Sequence, residues 1–192
     1  MMRLVLASAS ERRQNLLHRL TDNFEIIVSN FNEDKIAFKG DCGNYVMELA
    51  KGKAMEVANR LNTDAVVIGS DTIVSFKNNV LGKPKNELDA FNMLKLLSGD
   101  THQVYSGIAL VDKVSKNIKI DYVCTNVKFS TITDEQIKKY IDTGEPMDKA
   151  GAYGIQGFGG VFVEEIHGCY YNVVGLSLNK LNCMFKEMGV NL

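Results

Sequence analysis

The sequence predicts an α/β fold in which helices flank a mixed sheet. Helix and strand patterns alternate along the first half of the chain, as is typical of crossover connections. Asn78-Asn79, ahead of a second apolar run, indicates a tight hairpin, so some strands pair in the antiparallel sense. Residues 65–74 are apolar on both faces around a short polar interruption, which is typical of an interior strand of a covered sheet.

Short apolar runs predict the strands of the first half, and apolar stripes with helical spacing predict its helices. The stripe of the first helix consists of Leu16, Leu17 and Leu20, and that of the second consists of Val46, Leu49, Ala50, Val57 and Leu61. In order, the predicted elements are a strand at 4–7, a helix at 10–20, a strand at 24–28, a helix at 44–60 and a strand at 65–75.

After the hairpin, the chain continues with one helix and two long strands. The helix is predicted at residues 87–97, and Ser98-Gly99 ends it. The strands are predicted at 103–111 and 118–130, paired through a turn near Ser115-Lys116-Asn117. These strands extend the sheet.

The last part of the chain combines a capped helix with a glycine-rich segment. Thr133-Asp134-Glu135-Gln136 is a capping-box pattern, which predicts a helix to about residue 141. Glycines recur through residues 151–160 and lead into a strand predicted at 161–166. The final helix is predicted at 176–187.

Charged residues interrupt three of these apolar patterns. Asp71 lies inside the strand at 65–75, Arg12 and Arg13 lie at the start of the first leucine stripe, and Lys53 lies on the apolar face of the second helix. Each has an ordinary explanation, since buried polar groups are usually satisfied and basic side chains can extend along apolar surface. Opposite charges on three elements nevertheless favour one polar pocket, suited to a polyanionic ligand held with a metal ion.

Composition limits the possible classes of protein. The chain has 192 residues, of which 45% are hydrophobic, and we predict a single domain over 1–192. With 22 basic and 23 acidic residues it has no overall field that would attract nucleic acid or an anionic membrane. The widely spaced cysteines and the lack of a signal-peptide or membrane-span pattern predict a cytoplasmic protein with reduced thiols.

The segment 6–13 runs from a strand through a small-residue turn into a helix. Ser8 and Ser10 could donate hydroxyl hydrogen bonds there, and Arg12 and Arg13 add positive charge, which suits an anion. Alternatively, Ser10 is only a helix cap and the arginines are surface charges. The spacing of a Walker motif is absent.

Two further segments could contact a ligand. Pro84 fixes the chain after Lys83 and could direct that ammonium group at a phosphate, although an isolated loop lysine is usually solvated. In residues 148–160 the glycines permit close approach of backbone, and the Gln156 amide could read a nucleobase edge. A plain glycine-rich connection stays possible for this segment.

Taken together, these motifs resemble the Maf family of nucleoside triphosphate pyrophosphatases. The matching segments, in family order over nearly the whole chain, are 6–13, Glu33, Lys53-Ala54, 69–74, 82–84, 148–157 and 173–176. The resemblance implies a fold similar to that of inosine triphosphatases, an elongated mixed sheet with a central cleft. Thr72 and the run 152–157 resemble the branch that acts on dTTP and UTP.

The resemblance also implies roles for individual residues. Asp71 would be the general base, and Glu33 with Asp71 would hold Mg²⁺ or Mn²⁺. The other catalytic residues would be Lys53 and Lys83. The remaining substrate-binding residues would be Ser8, Ser10, Arg12, Arg13, Thr72, Lys149 and Gln156, among which Arg12, Thr72 and Gln156 would set specificity.

The expected activity is that of a nucleoside triphosphate diphosphatase. Water would attack the α-phosphorus of dTTP or UTP with metal assistance and give the monophosphate and pyrophosphate. A nucleotide-sensing protein that regulates cell division or septum formation is the alternative, and it would bind dTTP without turnover. The resemblance further implies a homodimer.

Overall fold

The structure is a computed structural model that describes residues 3–192. Its strands are β1 (Leu4–Leu6), β2 (Glu25–Ile26), β3 (Val66–Phe76), β4 (Asn79–Leu81), β5 (Thr101–Asp112), β6 (Ile118–Phe129) and β7 (Val163–His167). Its helices are α1 (Glu11–Leu17), α2 (Cys42–Arg60), α3 (Glu87–Leu97), α4 (Asp134–Ile141), α5 (Tyr170–Val174) and α6 (Leu178–Glu187).

The strands form one mixed sheet in the order β2-β1-β3-β5-β6-β7, with β4 paired to β3. β1 pairs in parallel with β2 and β3, whereas β4 on β3 and β7 on β6 are antiparallel. The predicted α/β class with a mixed sheet and flanking helices is therefore confirmed. β3 lies inside the sheet between β1 and β5, as its two apolar faces predict.

Most predicted boundaries agree with the structure, and the differences have local causes. α1 ends at Leu17 because the chain then tightens, with the Arg19 amide bonded to the Leu16 carbonyl. Lys77 and Asn78 both have positive φ, so the hairpin turn is one residue earlier than predicted. Helix α5 and the short 3-10 turns were not predicted.

The chain divides into two compact units, and β3, β5 and β6 pass through both. The first comprises residues 3–71, 106–123 and 175–192. One of its core clusters is rich in small side chains: Val5, Ala7, Ala50, Ala54, Val57, Ala58, Ala65, Val67, Ala109 and Val111. Small side chains allow the backbone of α2 to lie close to β3. A Cβ atom at Gly69 would lie only 2.1 Å from the Ala50 carbonyl oxygen.

The second unit comprises residues 72–105 and 124–174 and has an aromatic core. Its aromatic members are Phe76, Phe129, Tyr140, Tyr153 and Phe162, packed with leucines of α3. Helix α4 begins with the predicted capping box between Thr133 and Gln136. His102 is fully buried, and its ring meets Phe129 and Tyr153 edge to face.

Two further expectations can be compared with the described residues. Within residues 3–192 the four cysteines form no disulfide, and their reduced state stays a prediction. Over residues 3–192, every helix is too short or too polar to cross a membrane. The prediction of one domain over residues 1–192 stays a prediction.

Candidate functional site

In the first unit, strand β3 and helix α2 bring Asp71 and Lys53 together. Gly69 and Asp71 point to the same face of the strand, and Lys53 follows Ala50 by nearly one helical turn. The close approach at Gly69 therefore lets the lysine side chain reach the strand. The distance from Lys53 Nζ to Asp71 Oδ1 is 2.5 Å, although Asp71 is only 8% exposed. The buried Asp71 carboxylate is therefore paired with the Lys53 ammonium group.

Glu33 contacts the same ammonium group from a loop. It begins a short 3-10 turn whose preceding residue, Asn32, accepts a hydrogen bond from the Asp34 amide. The distance from Lys53 Nζ to Glu33 Oε1 is 2.8 Å. Glu33 and Asp71 therefore converge on one positive charge, and Glu33 itself is exposed.

The convergence of these two carboxylates suits a divalent cation as well as an ammonium group. Carboxylate oxygens are hard ligands, and Mg²⁺ typically uses one or two of them together with water and substrate phosphates. Within residues 3–192, no group of three or more His, Cys, Asp or Glu side chains forms a closed metal site. Glu33 and Asp71 are two side chains of this unit that could hold such an ion in an open site.

Arg13 is fixed beside these charges by two hydrogen bonds. Its Nε donates to the Gly175 carbonyl at 3.0 Å, and its Nη1 donates to Ser8 Oγ at 3.3 Å. Burial lowers the pKa of the Arg13 guanidinium, and the negative Asp71 only partly opposes this effect. An arginine nevertheless stays protonated at neutral pH, so Arg13 is a fixed positive charge in this unit. Arg12, half-buried beside it, adds a further positive charge.

The serines of the turn before α1 have different roles in the structure. Ser8 Oγ accepts from the Ser10 amide at 3.2 Å as well as from Arg13, so this hydroxyl organises the turn. Ser10 occupies the N-cap position but its side chain makes no capping hydrogen bond. The interpretation of Ser10 as only a helix cap therefore lacks its usual bond.

Tyr45 is a residue of this site that the sequence analysis missed. It is half-buried on α2, and burial together with the negative charges of Asp71 and Glu33 raises the pKa of its hydroxyl. A signal was available, because Tyr45 precedes Lys53 by eight residues and so lies on the same helical face.

The second unit carries the other predicted site residues. Thr72 is half-buried in β3, and Lys83 is exposed in the loop after β4. The Gly151 amide donates to the Gly82 carbonyl at 3.0 Å, which ties the Lys83 loop to the glycine-rich segment. Gln156 is exposed in a turn closed by the Gly157 amide on the Gly154 carbonyl.

Lys149 is directed toward its own neighbours in the chain. Its Nζ donates to the Glu145 carbonyl at 3.3 Å and forms an ion pair with Asp148. Its aliphatic carbons lie under Gly154, where an added Cβ atom would be 3.1 Å from Lys149 Cε. The predicted substrate-binding role of Lys149 stays a prediction.

Glu145, which the sequence analysis also missed, holds the glycine-rich segment. Its carboxylate accepts from the Tyr140 hydroxyl at 2.8 Å, the Phe158 amide at 2.8 Å and the Gly159 amide at 3.2 Å. Partial burial by itself would raise the pKa of Glu145, but these hydrogen bonds outweigh it and lower the pKa. No periodicity marks this turn residue, so the sequence pattern gave no signal for it.

Comparison with known sequences finds relatives along the full length of the chain. The family model described as Maf-like protein matches residues 3–188. The chain is 66% identical to a dTTP/UTP pyrophosphatase of Clostridium novyi (strain NT) and 59% identical to one of Clostridium tetani (strain Massachusetts / E88). Each match covers 100% of this chain and 100% of the relative.

Comparison with solved structures agrees with the predicted fold. A HAM1 protein from Coxiella burnetii superposes with a TM-score of 0.51 at 15% sequence identity. The match covers 97% of this chain and 100% of that chain. At this identity the likeness shows the fold alone.

Proposed function

The chain belongs to the Maf family, and from that premise we propose that it hydrolyses dTTP and UTP to the monophosphates and pyrophosphate. Relatives at 59% and 66% identity that carry the name dTTP/UTP pyrophosphatase support the substrate class. The observation that carries the chemistry is the buried Asp71 carboxylate, which shares the Lys53 ammonium with Glu33.

In this proposal Asp71 orients the attacking water and removes its proton. A general base must have a fixed position, and the 2.5 Å contact with Lys53 supplies one. Lys53, Lys83, Arg12 and Arg13 offset the negative charge that develops on the leaving pyrophosphate. Phosphoryl-type transfer depends mainly on such positioning and charge stabilisation.

Glu33 and Asp71 would hold the divalent metal ion, Mg²⁺ or Mn²⁺. Such an ion, when bound, polarises the phosphate oxygens and makes the α-phosphorus more electrophilic. The chain contributes two carboxylates that already converge on one positive charge. Phosphate oxygens and water would complete the coordination.

The remaining predicted residues would bind and select the substrate. Arg12, Thr72 and Gln156 would distinguish the nucleobase and sugar, and the Gln156 amide offers both a donor and an acceptor. The other predicted substrate-binding residues in this proposal are Ser8, Ser10, Arg13 and Lys149. We further propose a cytoplasmic homodimer that binds neither nucleic acid nor membranes, in line with its net charge of −1.

Pyrophosphate release from a panel of pyrimidine and purine triphosphates, with Mg²⁺ or Mn²⁺, tests the proposal. We expect rapid release from dTTP and UTP and a loss of roughly 10²-fold or more in Asp71→Asn, with nucleotide binding retained. Asp64→Asn, a change of the same type at an exposed aspartate, is the matched control. Binding of dTTP without release by the unaltered protein would overturn the proposal in favour of a nucleotide sensor.

A further inference from the structure

A single carboxylate organises the glycine-rich segment of the second unit. The backbone amides of Phe158 and Gly159 donate hydrogen bonds to the Glu145 carboxylate. Both residues directly follow the turn that contains Gln156. Backbone amides bonded to a charged acceptor form strong, directional hydrogen bonds. The position of Glu145 therefore fixes the far side of the Gln156 turn.

Tyr140 fixes the near side of the same turn. Its hydroxyl donates to Glu145 Oε1 at 2.8 Å and accepts from the Gly154 amide at 3.1 Å. Tyr153, which precedes the turn, is itself anchored because its hydroxyl lies 2.8 Å from His102 Nε2. Residues 155–157 thus lie between two points that are both tied to the core.

The absence of a side chain at Gly157 leaves space for the Glu145 carboxylate. A Cβ atom at Gly157 would lie 2.2 Å from Glu145 Oε2, so any side chain there would displace the carboxylate. Gly157 is exposed and has negative φ, so backbone conformation does not require glycine there. The glycine instead provides space for Glu145.

We propose that Glu145 is a positioning residue for nucleobase recognition: it fixes the turn that carries Gln156 and so determines which bases the protein accepts. This inference rests on the proposed function, because it uses Gln156 as the group that reads the base. Glu145 does not contact the substrate in this proposal. Its effect reaches the base only through the backbone of residues 154–159.

A purely structural role for Glu145 gives a different result and can be separated from the proposal. Loss of fold stability would lower activity toward every nucleotide by the same factor. Loss of positioning would instead change the ratio of kcat/KM for dTTP to that for dGTP, because a mobile Gln156 discriminates less. It would act more on KM than on kcat, since Asp71 and Lys53 belong to the other unit.

The test uses Glu145→Gln, which keeps the shape but replaces one acceptor oxygen by a donor. We expect the dTTP-to-dGTP ratio to fall about tenfold, with increased hydrogen exchange at the Phe158 and Gly159 amides. In a Gln156→Ala background the same substitution should change the ratio by less than about twofold, because the group it positions is absent. Glu135→Gln, at an exposed glutamate of α4, is the matched control.

An unchanged ratio in Glu145→Gln, or an equal fall in both backgrounds, would overturn the inference. Should Glu145→Gln fail to fold, Tyr140→Phe removes one hydrogen bond to the same carboxylate and is expected to lower the ratio about threefold. The ratio of the dissociation constants for dGTP and dTTP, measured at equilibrium, reports the same selectivity without turnover. An unaltered protein that binds selectively but releases no pyrophosphate would therefore contradict the proposed function and leave the inference testable on binding.

Discussion

The two units hold their functional groups in opposite ways. In the first, Lys53 on α2 and Asp71 on β3 face each other, and Glu33 contacts the same lysine from a short 3-10 turn. In the second, Gln156 lies on irregular backbone, and the Phe158 and Gly159 amides that follow it donate to the Glu145 carboxylate. The first arrangement suits chemistry that needs fixed charge, and the second suits recognition that depends on backbone shape.

The comparison predicts that removing a charge from the first unit has the largest effect. Lys53→Met keeps most of the side-chain volume but leaves Asp71 and Glu33 facing each other without their shared cation. We expect kcat to fall roughly 10²- to 10³-fold, about 2.7–4 kcal/mol of activation free energy. Lys51→Met, at a neighbouring lysine on α2, should retain activity, and equal losses in both variants would contradict the comparison.

Acid should weaken the second unit through a buried neutral group rather than through an ion pair. Burial lowers the pKa of His102 from 6.5 to about 4, and as an imidazolium it would place a donor at Nδ1, which has no partner within residues 3–192. The unfolded chain binds this proton at a higher pH than the folded chain does. The contribution of neutral His102 to the free energy of unfolding is therefore fully present above pH 6.5 and is lost as the pH drops toward 4. The expected loss of free energy of unfolding is about 3 kcal/mol.

Urea unfolding between pH 7.5 and 4 checks this expectation. His102→Gln has no titratable group at that position and should show a smaller loss than the unaltered protein. His167→Gln removes a largely exposed histidine and should keep the full loss. The same pH dependence in all three proteins would exclude His102 as the cause.

Adding one methyl group tests how far backbone shape controls recognition. Gly157→Ala places a Cβ atom on Glu145 Oε2 and should displace the carboxylate. We expect KM for dTTP to rise about tenfold, about 1.4 kcal/mol, with kcat changed less. Steady-state kinetics measures both constants. A fall in kcat at constant KM would mean that the segment serves the chemical step.

The smallest expected effect separates stability from positioning inside the second unit. Thr133→Ala removes the capping box of α4, the helix that carries Tyr140, and should cost about 1 kcal/mol of unfolding free energy. Thermal unfolding measures that loss. The dTTP-to-dGTP ratio should stay unchanged, and a shift like that expected for Glu145→Gln would show that general stability alone controls selectivity.

The same contrast explains what the sequence could predict. Lys53 and Asp71 stand out because each interrupts an apolar pattern on a regular element, and pattern alone places them near each other. Glu33 lies on an exposed loop, and only the family resemblance identified it as a candidate site residue. Glu145 has no periodic signal, because its three donors come from a helix side chain and from backbone that folds back from later in the chain.

Gly69 shows how a residue without a functional group can control the distance between two charged side chains. Helix α2 lies against β3 at this point, and an alanine there would meet the Ala50 carbonyl oxygen at 2.1 Å. Lifting the helix would separate Lys53 from Asp71 without altering either side chain. In a saturation mutagenesis screen, position 69 should therefore score as intolerant as the ionised residues. A screen that measures activity alone would not distinguish Gly69, which only sets a distance, from the charged residues that it brings together.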